Sequence, residues 1–354
     1  MILTTISLVL FAAQSRVDLL DGSKVFGEIS DINLNAVTIA IDGSEDATVI
    51  ANESILEVVP AATALMRQAQ VSLDGLDFMN ASNAFAEAAS KSEAGYMKNF
   101  AGLRNAETLM SWAAIDPAQY GAAIALLNTW VSENPRSFWL PRAQMSLARA
   151  LANTGDIDGA ASMMEELSNL AFAETLARHI ELQANVIRCE AFLIGGQAQS
   201  AQSRLSSLRD TLGSMIRNAE TPPALLSKAR GLHSQVQILN GQAIQAIEGV
   251  NASQTYWKEL ADGESTAPVV RSAAWLGLAE AAIEADELRS AQLQLAKIVA
   301  VMPASPNVTP QALYKLAVVS AKLEDTKSSR SAAMRLTTNY PNSTWAIKAN
   351  SEGL

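Results

Sequence analysis

The sequence predicts a mainly α chain, a stack of about seven helical hairpins preceded by a small N-terminal β-barrel or curled sheet. Three observations carry this. Small and large apolar residues recur at fixed offsets: Leu147, Ala148, Leu151, Ala160, Met164 and Leu167 fall in register with Leu278, Ala279, Ala282, Ala291, Leu295 and Ile298. The same register returns as Leu316, Ala317, Ser320, Ser329, Ala333 and Leu336, with Pro303 and Pro341 closing the later two copies. Between Val17 and Val59, by contrast, apolar residues alternate, the strand rather than the helix period. Composition agrees, since 49% hydrophobic but only 5% aromatic residues leave a core built mostly from Ala, Leu, Ile and Met.

Met1 to Ala13 is almost wholly apolar and is followed by Ala13-Gln14-Ser15, small residues placed as at an export-signal cleavage site. The run is shorter than the roughly 20 apolar residues of a membrane-spanning helix, and no Cys follows it to carry a lipid anchor. The expectation is a signal peptide over residues 1–15, a mature start near Arg16 and a periplasmic or secreted protein. The signal departs from the usual pattern in lacking a Lys or Arg before the apolar run.

Residues 16–59 form the expected small acidic β-domain. Val17 and Leu19; Val25, Gly27 and Ile29; Val37, Ile39 and Ile41; Val49; then Ile55 and Val58 suggest four or five short strands. Asp21-Gly22 and Asp42-Gly43 mark turns. Nine acidic residues between Val17 and Val59 face one Lys24, the reverse of what a nucleic-acid surface needs. The chain as a whole carries a formal charge of −10, so a polyanionic partner is excluded. The stretch Asp21-Gly22-Ser23-Lys24-Val25-Phe26-Gly27-Glu28-Ile29 resembles short SH3-like or Sm-like barrels.

Residues 60–345 are the expected solenoid and 346–354 a C-terminal tail. In each hairpin the first helix sets a large residue beside a small one, and the second answers with a small residue and a bulky one four later. Each hairpin thus leaves an apolar face for its neighbour to cover. Ala81, Phe85 and Ala88, then Ala123, Leu127, Trp130 and Pro135, then Ala201, Leu205 and Leu208 follow the second half of the tetratricopeptide repeat pattern, and the chain resembles that family. The first helices match less well. The fifth unit, roughly 222–262, contains Gly231, Gly241 and Gly249 without a clean register, and units recur at about 33 to 48 residues rather than at about 34. Tyr340-Pro341-Asn342-Ser343-Thr344-Trp345-Ala346 resembles the inter-repeat turn of bacterial envelope members, the outer-membrane assembly and cell-division coordinator proteins.

Catalytic chemistry finds few candidates. His179, His233 and Cys189 are not spaced for a metal site, so no metal or cofactor is expected. Cys189 sits at a small-residue position and reads as a core thiol; His179, in Arg178-His179-Ile180-Glu181, reads as a surface or groove residue. Asp42 to Asp46 lacks the ligand spacing of a helix-loop-helix calcium site, and the six Trp residues read as packing. Asn-x-Ser/Thr triplets at Asn52, Asn80, Asn251, Asn307 and Asn342 read as chance products of composition.

The family resemblance implies a non-enzymatic scaffold whose first helices line a binding groove. By register, the groove positions of the third unit are Arg142, Met145, Arg149 and Asn153, one helical stripe. Asn105 and Trp112 precede them and Gln183 and Glu190 follow. With no Asp or Glu between Ser137 and Asn153, this predicts a mixed groove with a modestly cationic centre, suited to a protein or peptide partner offering an acidic or C-terminal segment. The alternative expectation is a structural envelope or cell-surface protein without a dedicated groove.

Overall fold

In a computed structural model that describes residues 14–41, 44, 46–301, 308–341 and 343–354, five strands precede fifteen α-helices among the described residues. The apolar run from Met1 to Ala13, most of the Asp42 to Asp46 turn, Pro303, Asn307 and Asn342 lie outside them. The strands are β1 (Ser15–Leu19), β2 (Lys24–Ile32), β3 (Ala36–Ala40), β4 (Ala47–Ala51) and β5 (Ile55–Val59). They form one antiparallel sheet in the order β4-β3-β2-β1-β5. No pairing joins β4 to β5 among the described residues, so the sheet is open rather than a closed barrel.

β2 changes partner partway along its length. β2 pairs with β1 through Lys24–Gly27 and with β3 through Glu28–Ile32, with a register shift between Ile29 and Asp31. At the changeover a Cβ on Gly27 would lie 2.1 Å from the Ala40 carbonyl oxygen, so only glycine permits the close approach. β1 begins at Ser15, one residue before the expected mature start, and the Ser15 hydroxyl accepts a hydrogen bond from Ala61 N at 3.0 Å.

The helices are α1 (Ala64–Asp74), α2 (Phe78–Lys91), α3 (Gly95–Ala113), α4 (Tyr120–Glu133), α5 (Leu140–Asn153), α6 (Ile157–Ala173), α7 (Arg178–Ile194), α8 (Ala198–Arg217), α9 (Pro223–Glu248), α10 (Val250–Asp262), α11 (Pro268–Glu284), α12 (Leu288–Val301), α13 (Thr309–Lys322), α14 (Thr326–Asn339) and α15 (Thr344–Ser351). The first fourteen make seven hairpins in a tetratricopeptide-like arrangement. α15 covers the last hairpin with Ala346 and Ala349, so residues 346–354, expected as a tail, are largely helical.

Five hairpins turn in the same way. A residue in the left-handed region (Leu76, Gly155, Gly196, Asp286, Glu324) is followed by one whose N–H reaches back five residues to a helix carbonyl. These bonds run from Asp77 to Ser72, Asp156 to Leu151, Gln197 to Phe192, Glu287 to Ala282 and Asp325 to Ser320, at 2.7–2.9 Å. Asp77, Asp156 and Asp325 then cap the second helix by accepting from the N–H three residues on. The second and fifth hairpins depart from this turn, with a 3-10 turn at Pro117–Gln119 and with Gly249, respectively.

One irregular glycine of the fifth unit, Gly241, has a reason that it shares with Gly277 of α11. Trp257 of α10 is buried between α9 and α11, and a Cβ on Gly241 or Gly277 would fall 2.1 or 2.4 Å from its indole. The two glycines make the slot that the ring fills.

The sheet is not a separate body. Val17, Ile29, Val37, Ile39, Ile55 and Val58 share one core with Leu103, Leu127, Trp130, Trp139 and Leu147 of the second and third hairpins. Three connections of the sheet meet the entries of three successive first helices. Leu34 N donates to Arg136 O at 2.7 Å before α5; Asn52 Oδ1 accepts from Ala177 N at 3.3 Å before α7; Leu20 O accepts from Ala224 N at 3.0 Å in α9. Arg136, Glu174 and Asn35 close a fourth contact, in which the hydrogen bonds from Arg136 and Asn35 hold the Glu174 carboxyl below the usual carboxylate range.

Candidate functional site

A cleft of about 380 Å³ opens where the sheet meets the first helices. Its walls come from β5 and the turn before it (Asn52, Ile55, Leu56, Glu57, Val58), from Glu107 of α3, from the α5 stretch Arg142, Met145 and Arg149, from His179 and Gln183 of α7, and from Lys228 of α9. A second hollow of about 480 Å³ continues it along α7 and α9 to Gln235, sharing Leu56, His179, Gln183 and Lys228. The two make one trough.

Of the residues read from sequence, Arg142, Met145, Arg149 and Gln183 line this trough. Asn153 and Glu190 line a neighbouring hollow with Arg149. Asn105 and Trp112 do not line this trough. Asn105 Oδ1 accepts from the Ser82 hydroxyl at 2.6 Å and Trp112 stacks on Phe78 at 6.4 Å, both on α2. Those two positions face the preceding hairpin because register alone does not separate a helix's groove stripe from the stripe packed on its neighbour.

The expected cationic centre is paired. Arg142 makes a two-pronged ion pair with Glu107, Nε to Oε1 at 2.5 Å and Nη2 to Oε2 at 2.6 Å. Burial works against the Arg142 charge, but the charge and hydrogen bonds of Glu107, with Glu57 adding, hold its pKa above the ordinary value. Arg149 is held more loosely by Glu190 at 3.3 Å. The compensating acids that the α5 stretch lacks come from α3 and α7, which a reading confined to one helix misses. What remains is an exposed Lys228 on one side and an exposed Glu57 on the other, each without an ion pair among the described residues.

His179 is 8% exposed, and its Nδ1 has no hydrogen-bond partner among the described residues. Burial, then the Lys228 charge, lowers its pKa to about 4, so the ring is neutral at physiological pH. It lines the trough but is buried, where a surface or groove residue was expected. Cys189 is fully buried in the core between α7, α8 and α9, and burial pushes its thiol up to about 12. Sequence reasoning missed Asn52, Glu57, Glu107 and Lys228. Asn52 is 1% exposed, donates to Leu34 O at 2.8 Å and caps the entry to α7, so its Asn-x-Ser triplet is structural.

No protein-family model and no curated protein matches the chain. Among solved structures it is similar to a Rap protein complexed with competence and sporulation factor, at 9% identity over 80% of this chain and 77% of that one with a TM-score of 0.47. It is similar to NprR in complex with its cognate peptide NprX, at 12% identity over 82% and 87% with a TM-score of 0.46. The C-terminal part of a TPR repeat-containing protein from Cytophaga hutchinsonii shows 14% identity over 80% and 98% with a TM-score of 0.37.

Proposed function

We propose that this chain is a non-enzymatic scaffold of a bacterial cell envelope whose trough holds an acidic or C-terminal segment of a protein partner. The observation that carries the reading is Lys228, an exposed ammonium where the two hollows meet, with no ion-paired carboxylate among the described residues. A carboxylate from a partner would complete it by a charge-assisted bond. The other ions of the trough, Arg142 with Glu107 and Arg149 with Glu190, hold first helices to one another, a use of charge that fixes the shape of a binding surface.

The envelope setting is supported by the apolar run and Ala13-Gln14-Ser15. The N-terminal sequence of protein from the native cell is expected to begin close to Ser15 or Arg16; an intact Met1 on the functional protein would overturn export. For the sheet, the strand order β4-β3-β2-β1-β5 with a 3-10 turn at Asn52–Ser54 supports the SH3-like or Sm-like resemblance.

The binding reading is tested with random decapeptides displayed with a free C-terminus and selected on the full chain and on Lys228→Glu. Carboxylate-bearing peptides should be enriched on the parent and lost on the variant. Enrichment that is equal on both, or none on either, would overturn it.

A further inference from the structure

Strand β5 is an edge of the sheet. Among the described residues it pairs with β1 alone, and no helix forms a hydrogen bond to the backbone of Ile55–Val59. In a strand, successive side chains leave on opposite faces, and here Ile55 and Val58 enter the core while Glu57 is exposed. Yet Ile55, Leu56, Glu57 and Val58 all line the trough. A hollow that touches four consecutive strand residues, whichever face they leave by, runs along the strand's edge.

Exposed edges invite pairing with other chains, and folded proteins blunt them with bulges, prolines and short strands. β5 has these devices: a register shift opposite Asp18 and Leu19, five residues only, and Pro60 directly after it. It also faces α5, α7 and α9 across the trough rather than open solvent. Another sheet cannot approach such an edge, whereas a single extended segment can.

Resting on the reading above that the trough takes a partner segment, we propose that this segment binds as a sixth strand on the free edge of β5. Main-chain hydrogen bonds to β5 supply affinity and side-chain contacts across the trough supply selection. The edge is roughly 16 Å long at about 3.3 Å per residue, so it accommodates about five residues of guest. Charge specifies the guest further. A basic side chain lies across from Glu57, as opposite charges pair between neighbouring strands, and a carboxylate, terminal or side-chain, reaches Lys228. The occupant is therefore an extended protein segment with a basic residue and a nearby carboxylate, not a uniformly acidic one.

The experiment uses the decapeptides selected on the full chain. Each enriched peptide is resynthesised with a single backbone N-methyl group at successive positions, and affinity is measured by fluorescence anisotropy. Strand addition requires an alternating pattern: at least roughly a tenfold loss at every second residue over a stretch of about five, and less than about twofold at the residues between. Selection repeated on Glu57→Lys should exchange the enriched basic residue for an acidic one at the same distance from the carboxylate. If the peptides bind through Lys228 but N-methylation is without alternating effect, strand addition is overturned while the trough reading stands. If no peptide depends on Lys228, both fall.

Discussion

Arg142 and Glu107 are joined across α5 and α3 by two parallel hydrogen bonds, and the pair forms part of the trough wall rather than a free cationic site. Glu107 also accepts from Arg104 at 3.0 Å and is only 16% exposed. Arg142→Ala would therefore remove the stronger of two cations from a half-buried carboxylate. With the exposed face of Arg142 discounted for solvent screening, the expected loss is on the order of 1–2 kcal/mol of stability. Arg149→Ala, whose single bond to Glu190 is longer, should cost within about 0.5 kcal/mol. Urea titrations followed by circular dichroism compare the two, and equal small losses would show that the Arg142 pair contributes little.

His179 links the trough to pH. Its folded pKa of about 4 lies below the ordinary 6.5, so the folded state holds the ring neutral while the unfolded chain takes up a proton as pH falls through about 6.5. The unfolded state binds more protons between these values. Stability should be constant from this source above about pH 6.5, decline toward pH 4, and flatten below it, by up to about 3 kcal/mol. His179→Gln should remove that part of the slope in a pH series of thermal or urea unfolding. Parallel slopes in parent and variant would assign the acid sensitivity to other groups.

The hairpin count, the presence of an N-terminal sheet and the core positions could be read from sequence because they rest on local periodicity: Ala160, Met164 and Leu167 are each fully buried, as their register implies. The loose fifth unit was legible only as an irregularity, since nothing local says that Gly241 and Gly277, on two different helices, flank one indole. The site was half legible for the same reason. The α5 stripe is a local pattern, but Glu107, Glu57 and Lys228 reach it from three other elements, and the sheet that roofs the trough is tied to it by contacts such as Asn52 with Ala177, 125 positions apart.

The shared hairpin turn makes a stability prediction. Leu76 and Glu324 take φ of 60° where Gly155 and Gly196 do the same work in other hairpins. A side chain in that region costs roughly 1–2 kcal/mol, and glycine returns part of the gain through its freer unfolded state. Leu76 is 55% exposed, so little packing is lost with it. Leu76→Gly and Glu324→Gly should each stabilise by about 0.5–1 kcal/mol in urea unfolding, and the double variant should be additive because the two turns lie in the first and seventh hairpins.

A stack whose hairpins contact mainly their neighbours should transmit damage locally, but the sheet crosses that rule by sharing a core with the second and third hairpins and meeting the entries of α5, α7 and α9. Trp139 lies at the centre of this union, 3% exposed, packed 5.0 Å from Phe100 and in one cluster with Val17, Val37, Ile55 and Val58. Trp139→Ala is expected to cost about 3–5 kcal/mol through the lost burial and the cavity left behind. Hydrogen exchange should then quicken together in β1, β3, β5 and α3 to α5, while α11 to α14, whose core is a separate cluster, keep their protection. Were the strands to stay protected while α3 to α5 opened, the sheet would be an independent domain and the trough between them a seam rather than a built site.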